Sequence, residues 1–392
     1  MLSIKEKDNL LVISAACFTS VNRKIYHYFN NDTYNVKIIV PIKMKFSGKI
    51  KYADPPEIDD PEIIFLELIG ENSRIYFFKE LYKYLKLNKA KFIIIDNEIS
   101  SFLSILVGIW ALFNETRVYC ICYENITLSF FESVKKNGVR SILNSFFKFF
   151  LLNLSKILIK NVIVINNESS KLYQEYGFKN TNKIPLGFDK NLFEINNVSR
   201  NHIRKNNNLD KVVISYFGRI CFEKGIHILL KALKLIENEN WLLMIDEFSD
   251  YETTYTNELK ILINQSKLNH KIIYVNPSHK SIADYMNASD IVVLPSISTN
   301  KWVEQYGRVI PEALACGKVV IGSNVGAIPM LIDKYGFLFS EGDFNSLSIM
   351  LNSIINNISF YLSDEYKKKV SLYALQNLSI DCQYKLMKQI LN

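Results

Sequence analysis

The stretch EQYGRVIPEALACGKVVIGSNVGAIP, residues 304–329, organises the interpretation of the whole chain. Pro311 suits the first turn of a helix, because it has no N–H to lose and its φ is already near the helical value. Gly317 suits the position just past a helix end. The pattern therefore predicts a short helix from about residue 309 to 316, followed by a buried strand over 318–323.

The loop that enters this helix carries the first candidate ligands. Glu304 and Gly307 lie on the loop, and Glu312 lies in the first helical turn. Free backbone N–H groups at such a helix start suit a phosphate or a polyhydroxyl ligand. A simpler interpretation of Glu312 is a contact with the helix dipole, worth roughly 0.3–1 kcal/mol without any function. For Glu312 alone, both interpretations stay open.

A second motif, SYFGRICFEKG at residues 215–225, has the pattern of a strand, a loop and a helix start. The strand ends in Gly218 and Arg219, and a helix opens after Gly225, so Arg219 and Lys224 lie on a loop at the carboxyl edge of a sheet. A planar guanidinium and a compact ammonium suit a diphosphate, and glycines let the backbone approach its oxygens. The alternative is a solvated loop with ordinary surface cations.

Length and strand pattern predict two α/β domains. A chain of 392 residues suits two domains of roughly 190 residues each. Apolar β-branched runs alternate with helical patterns in both halves, as in parallel sheets covered on both faces. They include predicted strands over 62–69 and 241–246 and a predicted helix near 73–87. We expect one domain over 1–195 and a second over 205–375, with a polar, Asn-rich linker between them.

Composition narrows the classes of protein. Residues 1–200 carry 27 Lys and Arg against 20 Asp and Glu, so most of the net charge of +8 belongs to the first half. Six scattered cysteines form neither a disulfide framework nor a metal motif, which is typical of a reduced cytoplasmic protein. No apolar run reaches the roughly 20 residues of a transmembrane helix. We expect a cytoplasmic protein without a nucleic-acid partner.

The two motifs together resemble those of retaining glycosyltransferase family 4, within the glycosyl transferases group 1, whose fold is GT-B. The resemblance rests on the Glu-x7-Glu pattern of Glu304 and Glu312, and on Gly218-Arg219 with Glu223-Lys224-Gly225. It spans residues 182–332. It implies two Rossmann-like domains facing each other across a cleft, with a last helix, about 375–392, packing back on the first, acceptor-binding domain.

The resemblance also implies a role for each motif residue. Arg219 and Lys224 bind the donor diphosphate, Glu304 contacts the donor sugar, and these three are the expected catalytic residues. Glu312 accepts hydrogen bonds from the nucleotide ribose. The full donor-binding set implied is Gly218, Arg219, Lys224, Glu304, Tyr306, Gly307, Arg308, Val309 and Glu312.

The first domain departs from the family pattern. The glycine pair usual after the first strand is replaced by residues 15–20, AACFTS. A strand ending near residue 124 delivers Glu124 and Asn125 to the comparable edge, where they suit an acceptor or sugar hydroxyls. A helix-capping role for Asn125 is the alternative. In the second domain, the usual Gly-x-Gly after the second strand is replaced by residues 245–247, which leaves the donor base unassigned.

No metal or other cofactor is expected. No Asp-x-Asp motif appears where a metal would bridge the diphosphate, and Asp59 and Asp60 lie in a Pro-rich loop without a partner cluster. The substrate would be a nucleoside diphosphate sugar such as a UDP- or GDP-sugar. The donor sugar itself is not assigned.

Residues 135–160 combine an apolar helix face with basic residues, which are Lys135, Lys136, Arg140, Lys148, Lys156 and Lys160. One interpretation is a helix packed on its sheet, and the other is a basic surface that meets anionic lipid headgroups on the inner face of the cell membrane. The family resemblance implies a hexosyltransferase-type enzyme acting on a lipid-linked or cell-surface glycan, as in polysaccharide or lipopolysaccharide biosynthesis. The alternatives are a transferase making a soluble glycoside and an inactive glycan-binding scaffold subunit.

Overall fold

The computed structural model describes residues 7–46, 49–70, 74–126, 139–248 and 253–391. Within helix 139–158, the described side chains begin at Phe146. The chain divides into two compact units. The first is Met1–Pro185 together with Gln383–Asn392, and the second is Leu186–Cys382.

The first unit is built on a parallel sheet with the strand order β11-β10-β9-β8-β1-β2-β5 among the described residues. Its strands are β1 (Asp8–Ser14), β2 (Tyr34–Pro41), β3 (Lys43–Phe46), β4 (Lys49–Tyr52), β5 (Glu62–Leu66), β6 (Leu68–Ile69), β7 (Phe77–Phe78), β8 (Phe92–Asp96), β9 (Arg117–Cys122), β10 (Asn161–Val164) and β11 (Asn180–Lys183). Its helices are α1 (Lys24–Asn31), α2 (Leu81–Asn88), α3 (Phe102–Leu112), α4 (Val139–Leu158) and α5 (Asn167–Glu175). Two small antiparallel pairs, β3 with β4 and β6 with β7, lie beside the main sheet.

The central strands are buried on both faces, which explains their continuous apolar sequence. All five residues of β8 are buried. Ile93 and Ile95 point to the face that also holds Leu81 of α2 and Leu103 of α3 in one apolar cluster. The predicted doubly wound α/β architecture is confirmed for this unit.

One predicted helix of this unit begins later than expected. The periodicity predicts a helix over 73–87, whereas α2 starts at Leu81. The preceding residues Phe77 and Phe78 pair instead with Leu68 and Ile69 as a short antiparallel ladder. Tertiary pairing therefore overrides the local helical period, and it also splits the strand expected over 62–69.

Helix α4 has apolar residues on two of its sides. Leu151 and Leu152 are buried against the unit, as a helix packed on a sheet requires. Phe149, Phe150 and Ile157 lie on the outer side, where 65%, 62% and 70% of their surfaces are exposed. The sequence predicts the buried side of this helix correctly, and the described part of its outer side, from Phe146 onward, carries large apolar side chains.

The second unit contains a parallel sheet with the strand order β14-β13-β12-β15-β16-β17 in the described part of the chain. Its strands are β12 (Val212–Tyr216), β13 (Trp241–Asp246), β14 (Ile272–Val275), β15 (Ile291–Leu294), β16 (Val319–Ser323) and β17 (Phe337–Phe339). Its helices are α6 (Asn197–Asn206), α7 (Ile226–Lys234), α8 (Thr254–Gln265), α9 (Ile282–Ala288), α10 (Val309–Ala315), α11 (Ile328–Ile332), α12 (Phe344–Asn356), α13 (Ile358–Tyr361) and α14 (Asp364–Asn377). The second doubly wound domain is confirmed, and its strands match the predicted runs closely.

The polar stretch expected to be a linker is helical. Asn196 caps α6 by accepting a hydrogen bond from the Ser199 N–H at 2.9 Å. Arg200 and Arg204 of this helix hold the buried carboxylate of Asp290, at 2.6 and 3.2 Å. The linker interpretation is wrong, because capping and two ion pairs fix this Asn-rich segment to the second unit.

The chain therefore joins the second unit earlier than the expected interval between residues 195 and 205. The Phe188 N–H donates to the Leu378 carbonyl at 3.1 Å, and the Ile380 N–H donates to the Phe188 carbonyl at 3.0 Å. These bonds tie the chain to the second unit soon after Pro185. The last helix, α15 (Ile380–Leu391), starts at the same place.

Residues from Gln383 onward belong to the first unit. The Tyr384 ring packs edge-on against Phe29 with ring centroids 4.8 Å apart. The Tyr119 hydroxyl donates to the carbonyl of Ile390 at 2.8 Å. The aromatic core of the first unit thus includes residues from both ends of the chain.

Candidate functional site

The loop after β12 is shaped by Gly225. Its φ is +68°, and an added Cβ would lie 1.8 Å from the carbonyl oxygen of Pro295. Any other residue would therefore collide with the backbone after β15, since real Cβ atoms do not approach that closely. This contact holds the loop, and Lys224 with it, at the carboxyl edge of the sheet.

Lys224 and Glu304 form a tight ion pair at this edge. The Lys224 Nζ lies 2.6 Å from Glu304 Oε2, and the Ser296 hydroxyl donates to the same oxygen at 2.8 Å. The two charged side chains are only 13% and 6% exposed. The Lys224 ammonium also lies 5.2 Å from the centroid of the Trp302 ring. The structure thus joins the two sequence motifs through one charge pair.

The backbone of Glu304 is fixed by the far end of the stretch 304–329. The Ala327 N–H donates to the Glu304 carbonyl at 3.1 Å. An added Cβ on Gly326 would lie 2.2 Å from that oxygen. Gly326 is therefore needed for this close approach, a role that the sequence interpretation missed although Gly326 lies in the quoted stretch.

Arg219 is arranged differently from Lys224. It is exposed, and its guanidinium forms no ion pair with the part of the chain that the structure describes. The Tyr216 hydroxyl donates to the Arg219 carbonyl at 2.8 Å, so the backbone is held while the side chain reaches solvent. The adjacent Gly218 is exposed at φ +148°. The arrangement leaves Arg219 available to an anion.

The loop before α10 offers backbone donors. Gly307 has φ +83°, and an added Cβ would lie 2.9 Å from the Leu294 side chain. The N–H groups of Tyr306 and Gly307 form no hydrogen bond with the described residues. The Tyr306 side chain is buried, and its hydroxyl donates to the carbonyl of Leu186 at 2.6 Å. Arg308 is exposed at the start of α10, and Val309 is its first residue.

Glu312 lies in the first turn of α10, as predicted, and is half-buried. Burial raises the pKa of its carboxyl to about 8, against the opposing effect of the Arg308 charge. No described residue forms a hydrogen bond or ion pair with this carboxyl. A ligand that donates hydrogen bonds to this carboxyl would stabilise its ionised form and lower its pKa.

Asp246 is a further polar group of the edge that the sequence interpretation left without a role. Its Oδ2 accepts the Gly218 N–H at 3.3 Å, and its Oδ1 is buried without a hydrogen-bond partner among the described residues. Burial raises the pKa of this carboxyl to about 6. Its place at the end of β13, next to β12 in the sheet, is the signal that could have identified it.

Glu124 of the first unit already forms ion pairs with other residues of that unit. Its Oε1 contacts Lys148 closely and lies 3.5 Å from Arg74 Nη2. Its Oε2 is buried without a hydrogen bond from the described residues. Asn125 is half-buried beside it. The capping alternative for Asn125 depends on the residues that follow it, and residues 127–138 lie outside the described part of the chain.

Two neighbouring carboxylates of the first unit were not singled out by the sequence. The Ser14 hydroxyl donates to Asp96 at 2.6 Å. Glu98 accepts from the Tyr123 N–H at 2.8 Å and from the Tyr173 hydroxyl at 2.6 Å. Burial, together with the charge of Glu124, raises the pKa of the Glu98 carboxyl. These carboxylates are held by the protein's own donors.

Residues that could hold a metal do not cluster in the described part of the chain. No group of three or more His, Cys, Asp or Glu side chains is placed to bind an ion there. Asp60, from the Pro-rich loop, instead accepts from Arg23 at 3.0 Å and contacts His27 at 2.8 Å. None of the six cysteines forms a disulfide.

Comparison with known proteins identifies the second unit. Residues 198–373 match the family model of the glycosyl transferases group 1. This unit is a group 1 glycosyltransferase domain. The chain is 26% identical over 211 residues to the capsular polysaccharide biosynthesis glycosyltransferase CapM of Staphylococcus aureus, which covers 53% of each chain. The chain spans about half the length of curated relatives that it matches.

Solved structures share the fold over nearly the whole chain. The Anabaena protein HepE, in complex with UDP, matches with a TM-score of 0.72 and 17% identity, covering 98% of this chain and 99% of that one. Sucrose-phosphate synthase of Thermosynechococcus elongatus matches with a TM-score of 0.69 and 18% identity, covering 98% of both chains. The fold around the group 1 domain is thus of the GT-B type, as the sequence predicts.

Proposed function

We propose that the chain is a retaining, hexosyltransferase-type enzyme of family 4 that moves a sugar from a nucleoside diphosphate sugar to a lipid-linked or cell-surface glycan. The observation that carries the proposal is the buried Lys224–Glu304 pair at 2.6 Å, with the exposed Arg219 on the same loop as Lys224, in a group 1 domain. Two cations on one loop suit the two phosphates of such a donor.

The reaction needs negative charge to be stabilised on the leaving group. The bond between the anomeric carbon and the diphosphate oxygen breaks, and a bond to the acceptor hydroxyl oxygen forms on the same face of the sugar. The hydroxyl proton passes to the departing diphosphate. Arg219 and Lys224 stabilise the developing charge where it forms, while Glu304 orients the Lys224 ammonium and accepts from sugar hydroxyls. No protein nucleophile is required.

Glu312 supports the ribose assignment. Its carboxyl lacks a hydrogen bond or ion pair from the described residues and has a pKa raised to about 8. A ribose diol supplies two hydroxyl donors, which a carboxylate accepts well. The N–H groups of Tyr306 and Gly307 are donors for the sugar or the phosphates. Gly218 gives close backbone access, and Arg308 and Val309 complete the donor-binding set.

The first unit is proposed to bind the acceptor, with Glu124 and Asn125 at its sheet edge. We further propose that the protein works on the cytoplasmic face of the membrane through residues 135–160. The exposed Phe149, Phe150 and Ile157 of α4 support this contact, because large exposed apolar patches mark interaction surfaces. Lys135, Lys136 and the side chain of Arg140 lie outside the described residues. No helix in the described parts of the chain could span a bilayer.

The membrane contact is tested by sedimentation with vesicles of anionic or zwitterionic lipid. The double variant Phe149→Glu/Phe150→Glu should bind anionic vesicles at least tenfold more weakly than the unchanged chain. Ile261→Glu is the matched control, since Ile261 is an exposed apolar residue of α8 in the second unit. Equal binding of all three proteins would contradict the proposal.

The activity itself is tested with a panel of UDP-, GDP-, ADP- and dTDP-sugars. Release of the nucleoside diphosphate, in the presence and absence of lipid-linked acceptors, identifies the donor, and the anomeric configuration of the product distinguishes retention from inversion. Transfer to soluble sugars alone would favour the soluble-glycoside alternative. Absence of both transfer and hydrolysis, with intact nucleotide binding, would favour an inactive scaffold. The proposed reaction needs no added metal.

A further inference from the structure

An open apolar groove lies in the first unit, away from the carboxyl edge of its sheet. Its volume is about 690 Å³, which lies within the range of roughly 300–1,000 Å³ for small-molecule sites. Residues of α2 and α3 line it. The apolar ones used below are Leu81, Leu85, Leu106, Ile109, Trp110 and Phe113.

Several apolar residues of the groove walls are exposed. Ile109 is 43% exposed, and Phe113, at the end of α3, is 83% exposed. Leu81 and Leu85 form the buried wall and belong to the main core cluster. Since exposed aromatic and aliphatic side chains gain nothing from water, the occupant of this groove should be apolar along its length.

The groove lining includes two charged residues, Glu80 and Lys86. Lys86 lines the groove, is exposed, and forms no ion pair with the residues that the structure describes. The neighbouring Lys83, by contrast, pairs with Glu80 at 3.4 Å. An apolar groove with an ammonium at its edge is complementary to a hydrocarbon chain that ends in a phosphate.

The other side of α3 leads to the apolar surface described above. Helix α3 packs closely on α4, where an added Cβ on Gly108 would lie 2.8 Å from the Leu158 side chain. Helix α4, which carries the exposed Phe149 and Phe150, therefore packs on α3, whose residues Ile109 and Trp110 line the groove. The groove and the surface that we propose contacts lipid thus belong to neighbouring helices of the first unit.

We propose that this groove binds the hydrocarbon chain of a phosphorylated lipid acceptor, with Lys86 facing its phosphate. The inference rests on the proposed function, because it assigns a place to the lipid part of the proposed acceptor. The groove would then hold the acceptor by its hydrocarbon chain. A second copy of the protein or bulk membrane lipid as the occupant would give different results below.

The test uses the full chain and alkyl phosphates of six, eight and ten carbons, each kept below its micelle concentration. Binding is followed by tryptophan fluorescence, since Trp110 lines the groove. Affinity should rise about fourfold for each added methylene. The signal should vanish in Trp110→Phe, while calorimetry still detects binding. An affinity that does not change with chain length would overturn the proposal.

Matched variants locate the site. Ile109→Glu should weaken decyl phosphate binding at least tenfold. Leu112→Glu is the control, because Leu112 is 62% exposed on the same helix but does not line the groove. Equal losses in both variants would contradict the groove assignment. Lys86→Gln should weaken decyl phosphate binding and leave decanol binding unchanged.

Two further readouts separate the competing explanations. Light scattering that shows a dimer, dissociated by Ile109→Glu, would assign the groove to a second copy. Binding to phosphatidylglycerol vesicles that falls as much in Leu112→Glu as in Ile109→Glu would assign it to bulk lipid. Nucleotide binding is measured on the same wild-type sample. If a nucleoside diphosphate sugar binds and decyl phosphate does not, the groove inference is wrong while the transferase proposal stands.

Discussion

The carboxyl edges of the two sheets carry similar side chains in different states. In the second unit, the exposed Arg219 and the carboxyl of Glu312 have no hydrogen bond or ion pair to their side chains from the described residues. In the first unit, Glu124 is held by Lys148 and Arg74, and Glu98 accepts from Tyr173. The second edge therefore offers a cation and a carboxyl that the described residues do not pair, as the proposed donor site requires. The first edge is largely satisfied by the protein itself.

The two ion pairs at these edges also differ in burial. Lys224 and Glu304 are 13% and 6% exposed, whereas Lys148 and Glu124 are 22% and 17% exposed. A buried charge that loses its partner is costly, so the more buried pair should respond more strongly to the loss of its lysine. This difference can be measured without knowing the substrate.

The largest expected effect is on the stability of the second unit. Lys224→Met leaves the Glu304 carboxylate, which also accepts from the Ser296 hydroxyl, buried without its ammonium partner, and should lower the free energy of unfolding by roughly 3–5 kcal/mol. Lys148→Met should cost less. Urea unfolding measures both, and the double variant Lys224→Met/Glu304→Gln should regain part of the loss. A larger loss for Lys148→Met would reverse the comparison.

The next effect is on turnover. Arg219→Ala removes a preorganised charge from the leaving group and should lower kcat by on the order of a hundredfold or more. Its melting temperature should stay unchanged, because the side chain is exposed and unpaired in the described part of the chain. Lys234→Ala, a change at an exposed lysine of α7, is the matched control. Near wild-type turnover in Arg219→Ala would disprove the diphosphate assignment.

Glu312→Gln should lower nucleotide affinity by about tenfold, since charge-assisted hydrogen bonds are worth roughly 1.5–3 kcal/mol. Because the free carboxyl has a pKa of about 8, affinity in the unchanged protein should rise from pH 6 to pH 8 as the carboxyl ionises. The variant should lack that part of the pH dependence. A donor analogue without ribose hydroxyls should bind both proteins equally. Calorimetry at three pH values tests this, and unequal binding of the analogue would return Glu312 to a structural role.

The same carboxyl affects stability in the opposite direction. Between its ordinary pKa of 4.5 and the folded value of about 8, the folded state binds more protons than the unfolded state. The stability of the ligand-free protein should therefore fall as pH rises through this window. Glu312→Gln should be more stable than the unchanged chain at pH 8 and similar to it at pH 5. Thermal melts at both pH values check the sign.

The smallest expected effect is that of metal removal. Activity should be unchanged in EDTA, because two protein cations are proposed to carry out the charge stabilisation. Loss of activity that Mg²⁺ or Mn²⁺ restores would contradict this expectation. Activity with and without EDTA is measured with a nucleoside diphosphate sugar that has been shown to be a donor.

The sequence predicts the second unit better than the first for physical reasons. Gly225, Gly307 and Gly317 have positive φ, and Gly225 also approaches the Pro295 backbone too closely for any other residue. Because these positions require glycine, they can be recognised in the sequence. Strand β13 is predicted to the residue, because buried parallel strands have continuous apolar sequences.

The remaining features depend on distant contacts. The linker interpretation failed because Asn196 caps a helix whose arginines pair with Asp290, about ninety positions away in sequence. The short β7 forms only because β6 lies beside it. Asp246 belongs to no local sequence motif. Its contact with the Gly218 N–H and the burial of its Oδ1 depend on the pairing of β12 with β13. A single sequence does not show which distant residues will contact each other.

The measurement that tests the central claim most directly is thermal stabilisation by nucleoside diphosphate sugars, compared between the unchanged chain and Arg219→Ala. A ligand at 100 times its Kd should stabilise the unchanged chain by about 2.7 kcal/mol. At least one donor should raise the melting temperature of the unchanged chain, and the same concentration should have little effect on Arg219→Ala. Equal shifts in both proteins, or no shift with any donor, would contradict the account.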